Sequence, residues 1–338
     1  MFKLKKISLI CDFRESFPTK DEKGEVLFND HPRKESVEEI RDTLISKGYS
    51  CTIFGGVPEL IKAFNGDIAI DNDAIYINMS DGLTQTYSRV QIPILCDMLG
   101  IKYSGSGPFE VALATNKHYT KMAVNEVGIL CPKGIVARND NKNDVINCNW
   151  KYPVMVKPNT EGSSVGITQD NVCITNDDLY KCLHHLLREF KEIIVEEYIS
   201  GADVTCFLLG DFNNYVFNEV LLVEHHGKYF FEKEVMTMAD HAHKRTSYVM
   251  AEDILSNETV FKIKQMTLKI AKALNLRDIV RIDYRITPDN EIFFLEANTV
   301  PRVSITSELG FICKKRDWDY ASVLSNYIEA ICDRINHD

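Results

Sequence analysis

The chain has 338 residues, with 39 lysines and arginines against 49 aspartates and glutamates, which gives a formal net charge of −10. The length suggests two or three packed units, and 45% hydrophobic with 26% charged residues is typical of globular protein rather than of a disordered chain or a coiled coil. The acidic balance argues against a nucleic-acid partner, because the basic run at 314–316 is short and is followed by an acid.

The apolar runs and the cysteines indicate where in the cell the protein is expected. No stretch approaches the roughly 18 apolar residues of a membrane span, so no membrane partner is expected. The apolar run at 7–11, behind the N-terminal lysines, is too short for a signal peptide. The ten cysteines are scattered without a C-x-x-C pair, which predicts reduced, mostly buried thiols in a cytoplasmic protein.

The first hundred residues alternate short apolar runs with amphipathic stretches, which predicts β-α-β units around a parallel sheet. Helices are predicted to begin at Ser36 and at Gln91, and a single long helix is predicted from Pro108 to Val127. Such sheets bind ligands at the C-terminal ends of their strands. The predicted strands are 7–10, 51–54 and 74–77.

From Tyr152 the pattern changes to antiparallel strands, a glycine-rich turn and a leucine-rich helix. A polar loop is predicted from about 224 to 250, and no low-complexity linker separates the units, which should therefore pack closely. The predicted strands are 153–157, 165–168, 193–199, 205–209 and 215–223, and the later helices are 258–274 and 320–335.

Two strands near the C-terminus, joined by a predicted two-residue turn at 289–290, carry the strongest signal. That turn pairs Asp283 with Glu296 and Arg281 with Asn298, so these four side chains share one face. Opposed carboxylates repel unless a cation lies between them, and carboxylate and amide oxygens are ligands that magnesium prefers. A solvated face on which arginines neutralise the acids explains the pattern equally well. The other face is predicted to be apolar and consists of Val280, Ile282, Tyr284, Phe293, Leu295 and Ala297.

A turn rich in small residues follows the strand that ends at Lys157 and runs from Glu161 to Gly166. Backbone N–H groups of such a turn cradle phosphate, and the lysine and the hydroxyls of Ser163 and Ser164 add charge and donors. It is not a Walker A loop, since no Gly-Lys-Ser/Thr opens a helix. Taken alone, a plain hairpin loop is the simpler explanation.

Three further segments give weaker signals. The strand end 195–203 could pair with adenine through its backbone and hold ribose through an acid, or it could simply leave the sheet in a turn. The segment 103–107 lacks the Gly-x-Gly-x-x-Gly spacing of a Rossmann site. His241 and His243 follow Asp240, but two histidines lack the other ligands of a zinc site, which favours a polar loop.

Together, these segments resemble the ATP-grasp superfamily, and within it the D-alanine:D-alanine ligase branch. The resemblance extends from about Ile94 to Ser307, and its most specific parts are 103–106 with Lys117, 156–166, and 281–283 with 296–299. It implies an ATP-grasp fold of mixed α/β and α+β class. An N-terminal parallel-sheet (pre-ATP-grasp) domain, 1–103, would precede two α+β subdomains, 104–191 and 192–338, that clasp ATP.

The resemblance also implies roles for individual residues. The catalytic residues would be Lys157, Ser163 and Arg281, of which Ser163 closes a loop over substrate and Arg281 stabilises the oxyanion. Two magnesium ions, or manganese in their place, would be held by Asp283, Glu296 and Asn298. Substrate would be bound by Arg281, Asn298, Arg302 and Ser307. ATP would be bound by Lys117, Lys157, Glu161, Ser163, Ser164, Val165, Glu196, Glu197, Tyr198, Ile199 and Asp203.

The sequence departs from the family pattern where the family contacts substrate or the reacting phosphate. The His-Gly…Gly-Glu-Asp-Gly signature is replaced by the segment 78–82, a Lys-Tyr pair of the lid by Met236-Thr237, and a glycine by Arg302. Arg302 could hold a substrate carboxylate or supply the charge of the missing lysine, and a surface pair with Glu308 explains it equally well. The departures indicate a divergent, ligase-like subgroup.

The predicted activity is therefore ligation of a carboxylate to an amine, both from amino acids or a small peptide, through an acyl phosphate with release of ADP and phosphate. The polar loop at 224–250 is expected to act as a lid that excludes water. The departures favour a substrate other than D-alanine. A true D-alanine:D-alanine ligase and an ATP-grasp kinase are the alternatives, and a homodimer is a further expectation from the family.

Overall fold

The protein is built around three β-sheets. The computed structural model describes residues 5–18, 31–83, 86–162, 164–210, 212, 214–237, 240 and 246–337. Within these residues no helix combines the length and the apolar character needed to cross a membrane. All ten cysteines are free thiols, and seven of them are buried, as the sequence predicted.

The first sheet is parallel, as predicted, with strand order β2-β1-β3-β4. Its helices place apolar side chains on both faces of the sheet, which is why its strands read as continuous apolar runs. The second of these helices is preceded by Gly56 and was not predicted. The strands are β1 (Lys6–Ile10), β2 (Ser50–Gly55), β3 (Ala74–Asn78) and β4 (Lys102–Tyr103), and the helices are Lys34–Ser46, Val57–Phe64 and Gln91–Leu99.

The long helix predicted over 108–127 is in fact two helices, Pro108–Thr115 and Lys117–Glu126. Asn116 separates them because its backbone is extended (φ −88°, ψ 101°) and its side chain accepts a hydrogen bond from Tyr119 N–H at 3.1 Å. An asparagine in this position caps a new helix. The apolar periodicity continues across the break, so the sequence pattern alone conceals it.

The middle sheet is antiparallel with order β5-β8-β6-β7. The strand predicted at 165–168 is wrong: the segment forms turns, because Ser164 and Gly166 have φ values of 57° and 72°. Asn171 donates side-chain hydrogen bonds to the carbonyls of Val156 and Gly166 and so joins the turn to the sheet. The strands are β5 (Gly134–Ala137), β6 (Val154–Pro158), β7 (Val172–Cys173) and β8 (Ile193–Glu197), and the helices are Lys142–Ile146 and Asn176–Leu186.

The third sheet is antiparallel. Its strands are β9 (Gly201–Gly210), β10 (Tyr215–His225), β11 (Phe230–Phe231), β12 (Thr246–Met250), β13 (Ile279–Ile286) and β14 (Ile292–Asn298), and the helices are Asn257–Ala273, Glu308–Arg316 and Tyr320–His337. The strand order is β12-β10-β9-β13-β14, and β11 pairs with β9. The predicted polar loop at 224–250 is wrong in part, since it contains β11 and β12.

The hairpin of β13 and β14 has the predicted pairing at one end only. Asp283 lies opposite Glu296, and Arg281 lies opposite Asn298. The predicted two-residue turn is wrong, because Thr287 and Glu291 close a three-residue loop. A β-bulge beyond Asp283 inserts one residue and restores the register. Between the bulge and the turn, the side chains of β14 point to the faces opposite to those predicted. Phe294 is therefore buried, whereas Phe293 is only half-buried and Leu295 lines a cleft.

The apolar clusters connect the sheets unequally. One cluster contains side chains of β1 and the helix Lys34–Ser46 together with side chains of β9, β10 and the helix Tyr320–His337. The middle sheet instead packs against its own helices in a separate cluster. The first and third sheets therefore share a core, and the middle sheet has its own.

Candidate functional site

The predicted site residues converge on one cleft of about 1800 Å³ between the sheets. Ser163 lies outside the described residues. Every other predicted residue lines the cleft, and together they are Lys117, Lys157, Glu161, Ser164, Val165, Glu196, Glu197, Tyr198, Ile199, Asp203, Arg281, Asp283, Glu296, Asn298, Arg302 and Ser307.

The polar face of β13 and β14 forms the floor of the cleft. Arg281 forms a two-pronged ion pair with Asp283, with Nε and Nη2 each 3.0 Å from a carboxylate oxygen. Thr205 Oγ1 also donates to Asp283 Oδ1 at 2.7 Å. Glu296, on the opposing strand, lies 3.2 Å from Lys117 Nζ. The two carboxylates are thus opposed across the ladder, and a different cation approaches each of them.

The two carboxylates titrate differently. Burial and the negative charge of Glu296 raise the pKa of Asp283, although Arg281 acts in the other direction. Burial also acts to raise the pKa of Glu296, but the positive charges of Lys117, Lys157 and Arg281 lower it to about 2. An arrangement of this kind favours an additional cation beside Asp283, because such a cation stabilises its charged form.

A buried charge cluster joins the middle sheet to the helix Lys117–Glu126. Glu196 is only 2% exposed and accepts from Lys157 Nζ at 2.9 Å and from Lys121 Nζ. Despite the opposing effect of burial, the negative charges of Glu196 and Glu296 raise the pKa of Lys157. Burial lowers the pKa of Lys121 to about 8. Two cations held by one carboxylate leave a net positive charge that suits polyphosphate.

Lys117 begins its helix directly after the break at Asn116. Its backbone N–H donates to Asn159 O at 3.0 Å, and its Nζ donates to the carbonyl of Glu161. Asn159 also donates to Asn116 Oδ1 at 3.1 Å. The break therefore fixes Lys117 against the glycine-rich turn, which starts at Glu161 and continues through Ser164 and Val165.

A buried arginine holds the residues of the opposite wall together. Arg285 is 5% exposed and pairs with Asp203 at 2.7 Å. It also donates to Ile199 O and to the hydroxyl of Tyr198, both at 2.8 Å, and lies over the ring of Tyr198 at 5.3 Å. Glu197 accepts from the backbone N–H of Lys133 at 3.1 Å. This wall contains the strand-end segment 195–203, which was considered from the sequence as a binding site for adenine and ribose.

At the other end of the cleft, Glu308 accepts hydrogen bonds from Arg281 and from the hydroxyl of Tyr248, both at 3.1 Å. Arg302 lines the cleft and is exposed. The hydroxyl of Ser307 donates to the carbonyls of Ser304 and Arg302 at 2.6 and 3.0 Å. The charge of Glu308 is thus directed at Arg281, which lies on the floor.

The sequence did not predict several residues in or beside the cleft. Lys121 lies beside the cleft in a helix without a motif, and only its contact with Glu196 identifies it. Arg285 lies two residues after Asp283 and was considered only as an arginine that neutralises the acids, whereas it pairs with Asp203.

The first third and β12 also contribute residues. Tyr248 lies on β12 and lines the cleft, although its segment was predicted to be a loop. Asp81 and Arg89 come from the first third and form a 2.6 Å ion pair in the cleft. In the sequence, the segment 78–82 is identified only as a departure from the family.

The histidine-rich segment is only partly described. His241 and His243 lie outside the described residues. Asp240 is buried, and its Oδ1 lies 3.3 Å from Nε2 of His225 and 3.9 Å from Nε2 of His226. Its other oxygen accepts from Thr237 N–H and Oγ1 at 3.0 and 2.7 Å. Through these contacts Asp240 packs against the two histidines at the end of β10.

Comparison with known families gives a match over more than half of the chain. Residues 119–329 fit the family model described as the D-ala D-ala ligase C-terminus. The D-alanine–D-alanine ligase of Aquifex aeolicus is 32% identical over 68% of this chain and 74% of its own length. That of Nitratidesulfovibrio vulgaris (strain Hildenborough) is 28% identical over 86% of this chain and 90% of its own.

Solved structures share the fold at lower identity. The VanG D-Ala:D-Ser ligase from Enterococcus faecalis superposes with a TM-score of 0.71 at 19% identity, over 97% of this chain and all of its own. The D-alanine–D-alanine ligase from Bacillus anthracis, complexed with ATP, gives 0.71 at 20% identity and 99% of each chain. The predicted ATP-grasp fold, with its parallel first sheet and two further antiparallel sheets, is confirmed.

Proposed function

Because the chain belongs to the D-alanine–D-alanine ligase family and is an ATP-dependent ligase that forms carbon–nitrogen bonds, we propose that it joins the carboxylate of one amino acid or small peptide to the amine of another. One observation carries this proposal. The carboxylates of Asp283 and Glu296, the lysines 117 and 157, and Arg281 face one cleft. Phosphoryl transfer to a carboxylate needs acids that bind metal and cations that offset phosphate charge.

The donor set on the floor fits magnesium. Asp283, Glu296 and Asn298 offer carboxylate and amide oxygens on neighbouring strands, and these are hard ligands for a hard cation. The raised pKa of Asp283 agrees with a site that lacks one positive charge. Bound there, magnesium would supply the charge that offsets the β- and γ-phosphates of ATP.

The reaction has two steps, phosphoryl transfer and attack by the amine, and residues of the chain assist both. A carboxylate oxygen attacks the γ-phosphorus, and the bond from that phosphorus to the oxygen of ADP breaks. The amine then attacks the acyl carbon, phosphate leaves with its electron pair, and the amine loses a proton. Lys117 and Lys157 hold the phosphates, while Tyr198, Ile199 and Asp203 hold the nucleoside. Arg281, oriented by Asp283 and Glu308, stabilises the oxyanion.

The segment around β11 supports a covering role. The hydroxyl of Tyr198 donates to Glu234 O at 2.6 Å, and Gln169 donates to Val235 O at 2.7 Å. Val235 and Met236 line the cleft. The same segment is joined to the third sheet, because β11 pairs with β9. Held in this way from two sides of the cleft, it would keep water from the acyl phosphate.

We further propose that the substrate pair differs from two D-alanines. The grounds are the segment 78–82, Met236-Thr237 and Arg302, which replace family residues that contact substrate or the reacting phosphate. Asp81, Met236 and Arg302 all line the cleft, and therefore these departures act on the site itself. The named relatives point to the alternative, ligation of two D-alanines.

Phosphate release from ATP and magnesium, measured over a panel of L- and D-amino acids singly and in pairs with mass spectrometry of the products, tests both proposals. A new amide together with free phosphate, from a pair other than two D-alanines, is expected. D-alanyl-D-alanine as the product overturns the substrate proposal and leaves the ligase proposal intact. ADP formed together with a stable phosphorylated product, and no free phosphate, identifies a kinase and overturns the ligase proposal.

A further inference from the structure

Arg89 reaches into the cleft from the first third of the chain. It lies in the short turn Ser88–Val90 that precedes the helix Gln91–Leu99, and Asp81 accepts from its Nε at 2.6 Å. Its side chain is 21% exposed, and that of Asp81 is 18% exposed. Asp81 thereby holds the guanidinium in position through its Nε.

Both Nη groups face residues of the proposed ATP site. Nη1 lies 3.5 Å from Asn298 Oδ1, on the strand that carries the proposed metal ligands. Nη2 lies 3.5 Å from the position that a Cβ on Gly162 would take, in the glycine-rich turn. The guanidinium therefore lies between the floor of the cleft and the proposed phosphate-binding turn.

The turn that carries Arg89 and the helix that carries Lys117 both contact Asn116. The hydroxyl of Tyr87 accepts from Asn116 Nδ2 at 2.8 Å, and Val90 N–H donates to Tyr87 O at 3.1 Å. Asn116 also caps the helix that begins with Lys117. The positions of the two cations are thus set by one asparagine, although the cations belong to different parts of the chain.

On the basis of the proposed function, we propose that Arg89 binds the γ-phosphoryl group of ATP and holds it during transfer to the substrate carboxylate. A planar guanidinium presents two parallel N–H groups that match phosphate oxygens, which an ammonium group does not. The glycine-rich turn and the guanidinium are close neighbours, since a Cβ on Gly162 would be in van der Waals contact with Nη2. A phosphoryl group bound by the turn would therefore lie beside Arg89. The first third of the chain would thereby contribute a phosphate-binding residue to the site.

A purely structural role is the competing explanation, because Arg89 also joins the first and last thirds. Arg277 supplies a matched control. Its Nε donates to Gly105 O at 2.8 Å and its guanidinium lies over the ring of Tyr103 at 5.8 Å, so it joins the same parts of the chain. Arg277 does not line the cleft.

The test compares two magnesium nucleotides by isothermal titration calorimetry: ADP, and AMP-PNP, which carries a γ-phosphoryl group and is not hydrolysed. In Arg89→Ala we expect the Kd of AMP-PNP to rise by about 10- to 100-fold, as expected for a lost hydrogen-bonded charge, and the Kd of ADP to change by less than about twofold. Arg89→Lys should recover part of the loss, because it keeps the charge but not the fork. Arg277→Ala should alter neither Kd, whatever its effect on stability.

Equal effects on both nucleotides, or no effect on either, overturn the assignment. Should Arg89→Ala fail to fold, Arg89→Lys and Asp81→Asn carry the test, since each leaves a polar side chain in place. A loss selective for AMP-PNP in these variants supports the assignment, and its absence overturns it. The titrations need no turnover, so a failure of the amino-acid panel and a failure of the Arg89 assignment are separate results.

Discussion

Asp283 is the residue on which the proposed metal site depends most. It is held by Arg281 and Thr205 on one side and opposes Glu296 on the other. Its raised pKa reflects burial together with the nearby negative charge. A side chain in this setting binds a divalent cation only in its charged form, so the amide isostere should lose binding without losing shape.

In Asp283→Asn we expect Mn²⁺ binding in the presence of ADP to weaken by about 10- to 100-fold and ATP turnover to be lost. Electron paramagnetic resonance of free Mn²⁺ measures the first effect, and phosphate release measures the second. Asp71→Asn is the control, because Asp71 is a half-exposed acid that pairs with Lys6 outside the cleft. Native Mn²⁺ affinity in Asp283→Asn would remove Asp283 from the metal ligands.

Lys121 provides a pH test of the buried charge cluster. Burial lowers its pKa to about 8, against an ordinary value of 10.5. Between these two values the unfolded chain binds more protons at this position than the folded chain does, so stability rises as the pH rises. Below about pH 8 the contribution is constant, because the lysine is charged in both states.

We therefore expect the free energy of unfolding of the native protein, relative to Lys121→Met, to increase by at most about 1.4 kcal/mol per pH unit between about pH 8 and pH 10. Urea denaturation at three pH values in this interval, performed on both proteins, measures the difference. Parallel stability curves for the two proteins would mean that Glu196 keeps Lys121 at its ordinary pKa in the folded state.

At the scale of residues, the sequence predicts the cleft where a motif places several functional groups close together. Asp283, Glu296 and Asn298 were identified because a strand pair fixes their relation. The pairs of Arg285 with Asp203 and of Lys121 with Glu196 were not predicted, because the two partners of each pair are far apart along the chain and meet only in the folded structure. No periodicity records such a pairing.

Among the elements, the hairpin of β13 and β14 shows how a correct pairing can come from an incorrect turn. The loop is one residue longer than predicted, and the bulge beyond Asp283 absorbs the difference. Strand propensity and alternation do not reveal a bulge, which is stabilised by packing on both faces. The site half of the hairpin was therefore predicted correctly, while Phe293 and Leu295 were assigned to the wrong face.

The break between two helices at Asn116 leads to a prediction about both stability and ATP binding. Asn116→Ala removes the cap of the helix Lys117–Glu126 and the contact with Asn159. We expect a loss of about 1 kcal/mol in the free energy of unfolding and a severalfold rise in the KM for ATP, because Lys117 is no longer held against the turn. Chemical denaturation and steady-state kinetics measure the two effects.

Ser256→Ala is the matched control for this variant. Ser256 caps the helix Asn257–Ala273 by accepting from Thr259 N–H at 3.1 Å, and it does not line the cleft. Its loss should lower stability by a similar amount and leave the KM for ATP unchanged. A KM that rises equally in both variants would mean that general stability, rather than the position of Lys117, controls ATP binding.

Considered as a whole, the molecule has one large apolar cluster that joins its first and third sheets. The sequence predicted three units, 1–103, 104–191 and 192–338, from the change of strand pattern and the family resemblance. The first and the last of these units share an apolar cluster, to which β1 and the helix Lys34–Ser46 contribute together with β9, β10 and the helix Tyr320–His337. We propose two cooperative units, one formed by the first and last thirds and one by the middle sheet.

Native-state hydrogen exchange tests this division. Amides of β1 and β9 are expected to exchange through one common opening with the same free energy, because both strands contribute side chains to the largest apolar cluster. Amides of β6 and β8 should exchange through a separate opening of lower free energy, since their cluster is the smaller one. Independent exchange of β1 and β9 would restore the three-unit division.

The shared core also bears on how such a gene can be recombined. A chimera that receives a foreign middle segment, about 134–197, keeps its large core intact, since that segment has an apolar cluster of its own. A chimera with a foreign first third must fit new side chains against the C-terminal helix. Asp81, Met236 and Arg302 are all encoded outside the middle segment. Substrate choice should therefore be inherited with both ends of the gene together, while the middle can be exchanged for a segment that keeps its ATP-site residues, among them Lys157 and Glu196.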